Sequence, residues 1–458
     1  MNYKSFLKTK SFLDVKTGFE VELNSLNKML FDWQKIIVRW SIAKGRSAIF
    51  AGCGLGKTPI QLEWANKVYR KTKEPILILA PLAVSEQTKR EGDKFGIKVN
   101  ICSSHEDVVN GINITNYEKL HKFNPKDFIG IVLDESSIIK SFSGQIRNQI
   151  IELFNKTEYR LACTATPSPN DYMELGNHAE FLGVMTRSEM LSMFFINDTK
   201  DTGIWRLKGH VKNNVFWEWM SLWAVMLTKP SDIGYDDGDF ILPKIHYYEH
   251  IIKTNVKPKR GFFTERAKTL NDRRQVRKET INVRSEDAAK LINSTDDGWI
   301  VWCNLNNEGD VLEKKINGAV QVAGKDSNEI KVDRMVNFAS GKIKRLVTKP
   351  KIGGFGMNWQ VCFNAAFVGL SDSWEQWFQA IRRIWRFGQT HEVYIHMFIE
   401  EREGSVLDNI KRKDKQACEM IENMIEYMSD LSKHELRQIS KETIDYIPII
   451  KMRLPKWF

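Results

Sequence analysis

At 458 residues the chain is too long for one typical hydrophobic core, and 42% hydrophobic with 27% charged residues excludes a disordered or fibrous class. The 68 Lys+Arg against 57 Asp+Glu leave a net charge of +11, a balance that favours a polyanionic partner. Six cysteines set far apart, none in C-x-x-C spacing, exclude a zinc ribbon, a redox dithiol and a disulfide framework, and fit a reducing compartment.

The N-terminal stretch is broken by charge and has no apolar signal core. LFDWQ, Leu30 to Gln34, opens a helical pattern. Beyond it, SAIFAG, ILILAP, GINIT, FIGIVLDE and YRLACTATP read as short apolar strands separated by turns or amphipathic helices. That alternation predicts a parallel sheet covered by helices on both faces. The greasiest run, Pro75 to Val84, has the length of a buried strand and falls short of a membrane span. From Glu189 to Thr228 the texture turns aromatic, with Trp205, Trp217, Trp219 and Trp223, and reads as helical or irregular. Tryptophans so spaced fit packing between helices better than a base-stacking surface. Lys253 to Arg284 then carries eleven Lys/Arg against three acids, a linker or an arm over a polyanion. A second α/β segment follows in GWIVWCNL, AVQVAG, IKRLVTKP, NAAFVGL and HEVYIHMFI, and the tail from Glu400 is charged and helical in pattern.

Four stretches carry candidate chemistry. AGCGLGKT, Ala51 to Thr58, sits between a strand and a helix, where backbone N–H groups and the helix dipole hold phosphate. Lys57 would reach the β/γ-phosphates and Thr58 would ligate Mg²⁺. Asp134 and Glu135 end an apolar strand, placed to hold Mg²⁺ and to activate water. In LFDWQ an aromatic beside Gln34 offers a purine ring both stacking and an amide. QAIRRIWRFGQ, Gln379 to Gln389, drawn as a helix, puts Gln379, Arg383 and Arg386 on one stripe roughly 60° wide, with Ile381, Ile384 and Trp385 behind it.

Taken in order, LFDWQ, AGCGLGKT, LAPLAV, ITNYEKL, LDESS, TATPSPND, WCNL, VAGKD, TKPKIGGFGMNW and QAIRRIWRFGQ resemble the motif series of superfamily 2 helicases. The last is similar to that of the Swi/Snf-type branch, and the whole to the compact helicases of phages and prophages. The resemblance, over about Leu30 to His396, implies an α/β protein of two tandem RecA-like parallel-sheet lobes, with a helical insert between them and a helical C-terminal tail. On it lobe one spans 1–180, the aromatic insert and basic linker 181–285, lobe two 286–415 and the extension 416–458. ATP and Mg²⁺ are the implied cofactors: Gln34 on adenine, Gly54, Gly56, Lys57 and Thr58 around phosphate, Thr58 and Asp134 on the metal, Glu135 on water. Gly356 and Asn358 would approach the nucleotide from lobe two, with Gln379, Arg383 and Arg386 completing the γ-phosphate site. Thr164 and Thr166 would couple hydrolysis to lobe movement, and Pro81, Thr115, Asn116, Thr348 and Lys349 would touch a nucleic-acid backbone.

The implied activity is a nucleic-acid-stimulated ATPase, a DNA helicase or translocase of phage-type replication or recombination. DNA is favoured over RNA, with replication or recombination proteins as possible partners, no membrane, and a cytoplasmic setting. A nucleotide-gated clamp, or a translocase that remodels protein–DNA complexes without unwinding, are the rival readings. The chain departs from the family in three places. LDESS lacks the Ala-His or Gly-His that commonly follows the acidic pair, Arg382 stands where many members have Gly, and TKPKIGG is bulkier and more basic than usual.

Overall fold

The computed structural model describes residues 16–81, 84–141, 143–197, 205–208, 215–253, 270–353 and 358–436. Strands form at each apolar run read above, because a strand covered on both faces needs a continuous apolar sequence, and a short one not read from the sequence, Val99–Ile101, is added at the sheet edge. In the first half they are β1 (Arg46–Ala51), β2 (Ile76–Ala80), β3 (Val99–Ile101), β4 (Ile112–Asn116), β5 (Gly130–Asp134) and β6 (Tyr159–Cys163). A short hairpin follows, β7 (Phe195–Asn197) against β8 (Trp205–Leu207), and then β9 (Ala224–Leu227). Seven strands pair in parallel in the order β3-β4-β2-β5-β6-β1-β9. The carboxyl ends of β5, β6 and β1 are neighbours, which brings LDESS, TATP and the glycine loop to one edge.

The second sheet is also all parallel, in the order β10-β15-β14-β11-β13-β12. Its strands are β10 (Ile245–Ile252), β11 (Trp299–Trp302), β12 (Ala319–Val322), β13 (Arg345–Thr348), β14 (Asn364–Phe367) and β15 (Val393–Glu400). Alternation along β11 sends Ile300 and Trp302 into one core and Trp299 and Val301 into the other, so helices cover both faces. Two parallel-sheet lobes in tandem with a C-terminal helix are thus the architecture expected.

The segment between the lobes differs from its helical reading. β9 joins the first sheet and β10 the second, so each lobe takes a strand from it. Trp217, Trp219 and Trp223 are buried among Phe194, Phe216 and each other, as packing requires. Residues 254–269 of the basic stretch lie outside the described residues. Its remainder is helical, and its arginines meet acids of the same lobe: Arg277 Nε donates to Glu403 Oε1 at 3.0 Å, and Arg284 Nη1 to Glu308 Oε1 at 2.7 Å.

The C-terminal helix, Gly404–Leu436, serves both lobes. Val406, Leu407, Ile410 and Ala417 enter the lobe-two core, while Met420 and Met424 enter that of lobe one.

Candidate functional site: a glycine loop facing two arginines

β1 ends at Ala51, and the loop 52–56 leads into the helix Lys57–Thr72. Gly54 and Gly56 lie at φ +92° and +70°, left-handed backbone that a Cβ would strain. Close approach also requires them: a Cβ on Gly56 would stand 2.4 Å from Gln34 Nε2, and one on Gly54 2.8 Å from the Phe387 nitrogen of lobe two. No side chain caps the helix start, an arrangement that leaves its first N–H groups available to an anion. Lys57 Nζ donates to the carbonyls of Ala51 (3.0 Å) and Gly52 (3.4 Å), folding back over the loop.

Opposite the loop, Asp134 closes β5 and accepts from Gln61 Nε2 at 2.7 Å. Burial, then the neighbouring Glu135, raises its pKa to about 6. Glu135 sits at φ +51°, a strained backbone for a residue with a side chain, which aims its carboxylate into the cleft. Thr164 Oγ1 donates to Glu135 Oε2 at 3.4 Å and accepts from the Thr166 N–H at 3.1 Å. Directly after the acidic pair, the Ser136 hydroxyl meets His178 Nε2 at 3.0 Å inside lobe one.

From lobe two come Asn358, Arg383 and Arg386, which line one pocket with Gly54, Gly56, Lys57, Thr58, Asp134 and Glu135. Arg383 Nη2 donates to Gln379 Oε1 at 3.2 Å, and Cys53 Sγ of the loop lies 3.9 Å from the same oxygen. Arg386 Nε is covered and has no hydrogen-bond partner. Burial, then the like charge of Arg383, lowers the Arg386 pKa to about 10; burial lowers that of Arg383 as well. Two cations held together beside a phosphate-type loop leave room for an anion between the lobes.

The stripe expected on one helix is built otherwise. The helix runs only from Trp374 to Ile381, and Arg383 and Arg386 come from the turns beyond it. The Arg383 carbonyl accepts from the Trp359 N–H at 2.9 Å, and Gln389 Nε2 donates to the carbonyls of Gln360, Cys362 and Ile384. These bonds to the preceding segment pull the backbone out of helical register. Ile381 and Ile384 are nevertheless buried in the lobe-two core, and Trp385 Nε1 donates to the Pro243 carbonyl. Arg382, unaccounted for in the sequence, stacks on the rings of Trp385 (4.2 Å) and Phe378 (5.0 Å).

Gln34 is buried, with Nε2 on the Leu55 carbonyl and Oε1 accepting from the Phe31 N–H. Trp33 beside it is buried too, and the exposed ring of the pair is Phe31. Gly356 lies outside the described residues. A second, wider cleft of about 730 Å³ opens between the lobes next to Glu135. Pro81 lines it, but Thr115, Asn116 and Thr348 are buried and bonded within their own lobes, and Lys349 Nζ donates to Asn306. Its basic groups are instead Arg90, Lys140, Lys331 and Lys351, which motif matching passed over; only the basic character of TKPKIGG hinted at Lys351. Gln61, Tyr117 and Glu375 were also missed, since nothing local distinguishes them.

Thr58 and Asp134 offer a hydroxyl and a carboxylate oxygen, hard donors that suit Mg²⁺ shared with a nucleotide. Among the described residues no cluster of three or more His, Cys, Asp or Glu could hold a metal without such help, and no helix is long and apolar enough to cross a membrane.

Residues 27–169 match the family model described as type III restriction enzyme, res subunit. A fragment described as an HsdR subunit of a type I restriction enzyme from Vibrio vulnificus superposes with a TM-score of 0.53 at 15% identity, covering 86% of this chain and 68% of that one. The SWI2/SNF2 ATPase core of Sulfolobus solfataricus, solved with double-stranded DNA, aligns over 92% of this chain and 99% of its own, at 18% identity and a TM-score of 0.43. No curated protein matches the chain in sequence.

Proposed function

We propose that this chain, which carries the superfamily 2 helicase core, is a nucleic-acid-stimulated ATPase that moves along DNA. The observation that carries the reading is Arg386, covered and unpaired at Nε, facing Lys57 and the acidic pair across the cleft.

In this reading the loop N–H groups and Lys57 hold the phosphates of ATP, with Gln34 at the adenine side. Thr58 and Asp134 would hold Mg²⁺, which neutralises phosphate charge when bound. Glu135 orients a water and takes its proton as the oxygen attacks the γ-phosphorus. The bond to the bridging oxygen breaks and ADP leaves. Charge that develops on the transferred group is met by Arg383 and Arg386, so hydrolysis requires the lobes to be together.

The wide cleft beside Glu135, with basic groups from both lobes, is the proposed path for a phosphate backbone. DNA is preferred over RNA because the matched family is of restriction enzymes. A replication or recombination role rests on the phage-type motif series alone.

ATP turnover measured alone, with single strands, and with DNA and RNA duplexes tests the proposal. DNA should stimulate most, and stimulation should fall steeply with salt. No stimulation by any nucleic acid leaves the clamp reading instead. Strand displacement against triplex displacement then separates unwinding from remodelling.

A further inference from the structure

One buried carboxylate bridges the lobes without a place in the hydrolysis just described. Glu375 lies in the first turn of the lobe-two helix Trp374–Ile381 and is 8% exposed. Its Oε2 pairs with Lys140 Nζ, and its Oε1 accepts from Thr166 Oγ1 at 3.4 Å; both partners belong to lobe one. Lys140 is fixed in turn, its carbonyl accepting from Asn177 Nδ2 at 2.8 Å.

From Thr166 the contacts run inward through Thr164 to Glu135, the proposed water-orienting carboxylate. One turn beyond Glu375 on its own helix is Gln379, and the segment that follows carries Arg383 and Arg386 to the phosphate loop. Glu375 also faces the wide cleft, beside Lys140 and Lys351. A single residue thus touches the path to the water, sits on the helix that leads into the arginine-bearing segment, and lines the cleft proposed for nucleic acid. Ser136, at the position after the acidic pair, bonds to His178 within lobe one.

We propose that Glu375 is a positioning residue that couples lobe closure to the orientation of Glu135. The proposal rests on the ATPase reading above. As the lobes close, Glu375 engages Lys140 and Thr166; Thr166 fixes Thr164, and Thr164 holds Glu135 toward the water while the arginines arrive. A strand in the cleft acts on the same pair through Lys140. Removing Lys140 leaves Glu375 buried without its partner, and removing Glu375 leaves the partly exposed Lys140 unpaired, so exchange of the two charges separates coupling from simple damage.

The test compares ATP turnover, with and without duplex DNA, in the full chain and in Glu375→Lys, Lys140→Glu and the doubly exchanged variant. Each single variant should lose about ten-fold or more in kcat, with KM for ATP within about three-fold, and the double should recover to within about three-fold of wild type. Glu375→Gln, which keeps shape and one hydrogen bond, guards against misfolding and should fall between wild type and the lysine variant. A double variant no faster than the slower single, or Glu375→Gln at the wild-type rate, overturns the latch. Wild-type protein without turnover overturns the ATPase reading itself, and the latch with it.

Discussion

Arg386 and Gly54 meet where the lobes touch, and each makes a separate prediction. A guanidinium brought against another arginine, with its Nε covered and unpaired, is costly until an anion joins it. Arg386→Ala should therefore lower kcat by about 10³ while ATP affinity changes by less than about ten-fold, read by turnover and by titration with a fluorescent nucleotide. Turnover near wild type would show that Arg386 takes no part in hydrolysis. Gly54→Ala adds a Cβ at φ +92°, 2.8 Å from the Phe387 nitrogen. The backbone strain alone is about 1–2 kcal/mol, and relief of the clash moves the lobes apart. Turnover should fall more than nucleotide binding; equal losses in both would place the defect in the loop alone. Lys57, Thr58, Asp134 and Glu135 were legible as residues because a strand, a turn and a helix start lie consecutively around them. Arg382 was not, since its partners Phe378 and Trp385 are aromatic, and neither its charge nor its spacing announces a stacked cation.

Elements were readable where their apolar period was unbroken and unreadable where tertiary bonds took over. β10, IHYYEHII, is largely uncovered, as an edge strand can be, and its place beside β15 depends on a register that local sequence does not set. The helix after Trp374 stops at Ile381 because Trp359 and Gln389 claim carbonyls further along. In the helix Leu175–Leu182, His178 is fully buried, and its pKa is pushed down to about 4 by that burial. The folded state resists the proton and the unfolded chain accepts it near pH 6.5, so this contribution is intact above pH 6.5 and is lost as pH falls toward 4. The full effect is roughly 3 kcal/mol. Urea midpoints at pH 7 and pH 4.5 should differ more for wild type than for His178→Gln; equal differences would show that His178 does not set the acid limb.

Over the whole molecule, the helix Gly404–Leu436 fastens lobe two to lobe one through Met420 and Met424. Met424→Ala should cost about 2–5 kcal/mol locally, seen as faster amide hydrogen exchange over residues 418–426. Unchanged exchange there would mean that lobe two alone holds the helix. Motif order was enough to establish two parallel-sheet halves and to name groups that line one cleft, Lys57, Thr58, Asp134 and Glu135 among them, because each motif is a local strand–turn–helix event written in consecutive residues. Which groups face one another was fixed by folding. Arg386 reaches Gly54, and Glu375 reaches Lys140 and Thr166, across more than two hundred residues of chain. Period and spacing describe a face of an element but contain no term for the surface that will cover it. That term arises when two cores pack and their buried charges must find partners.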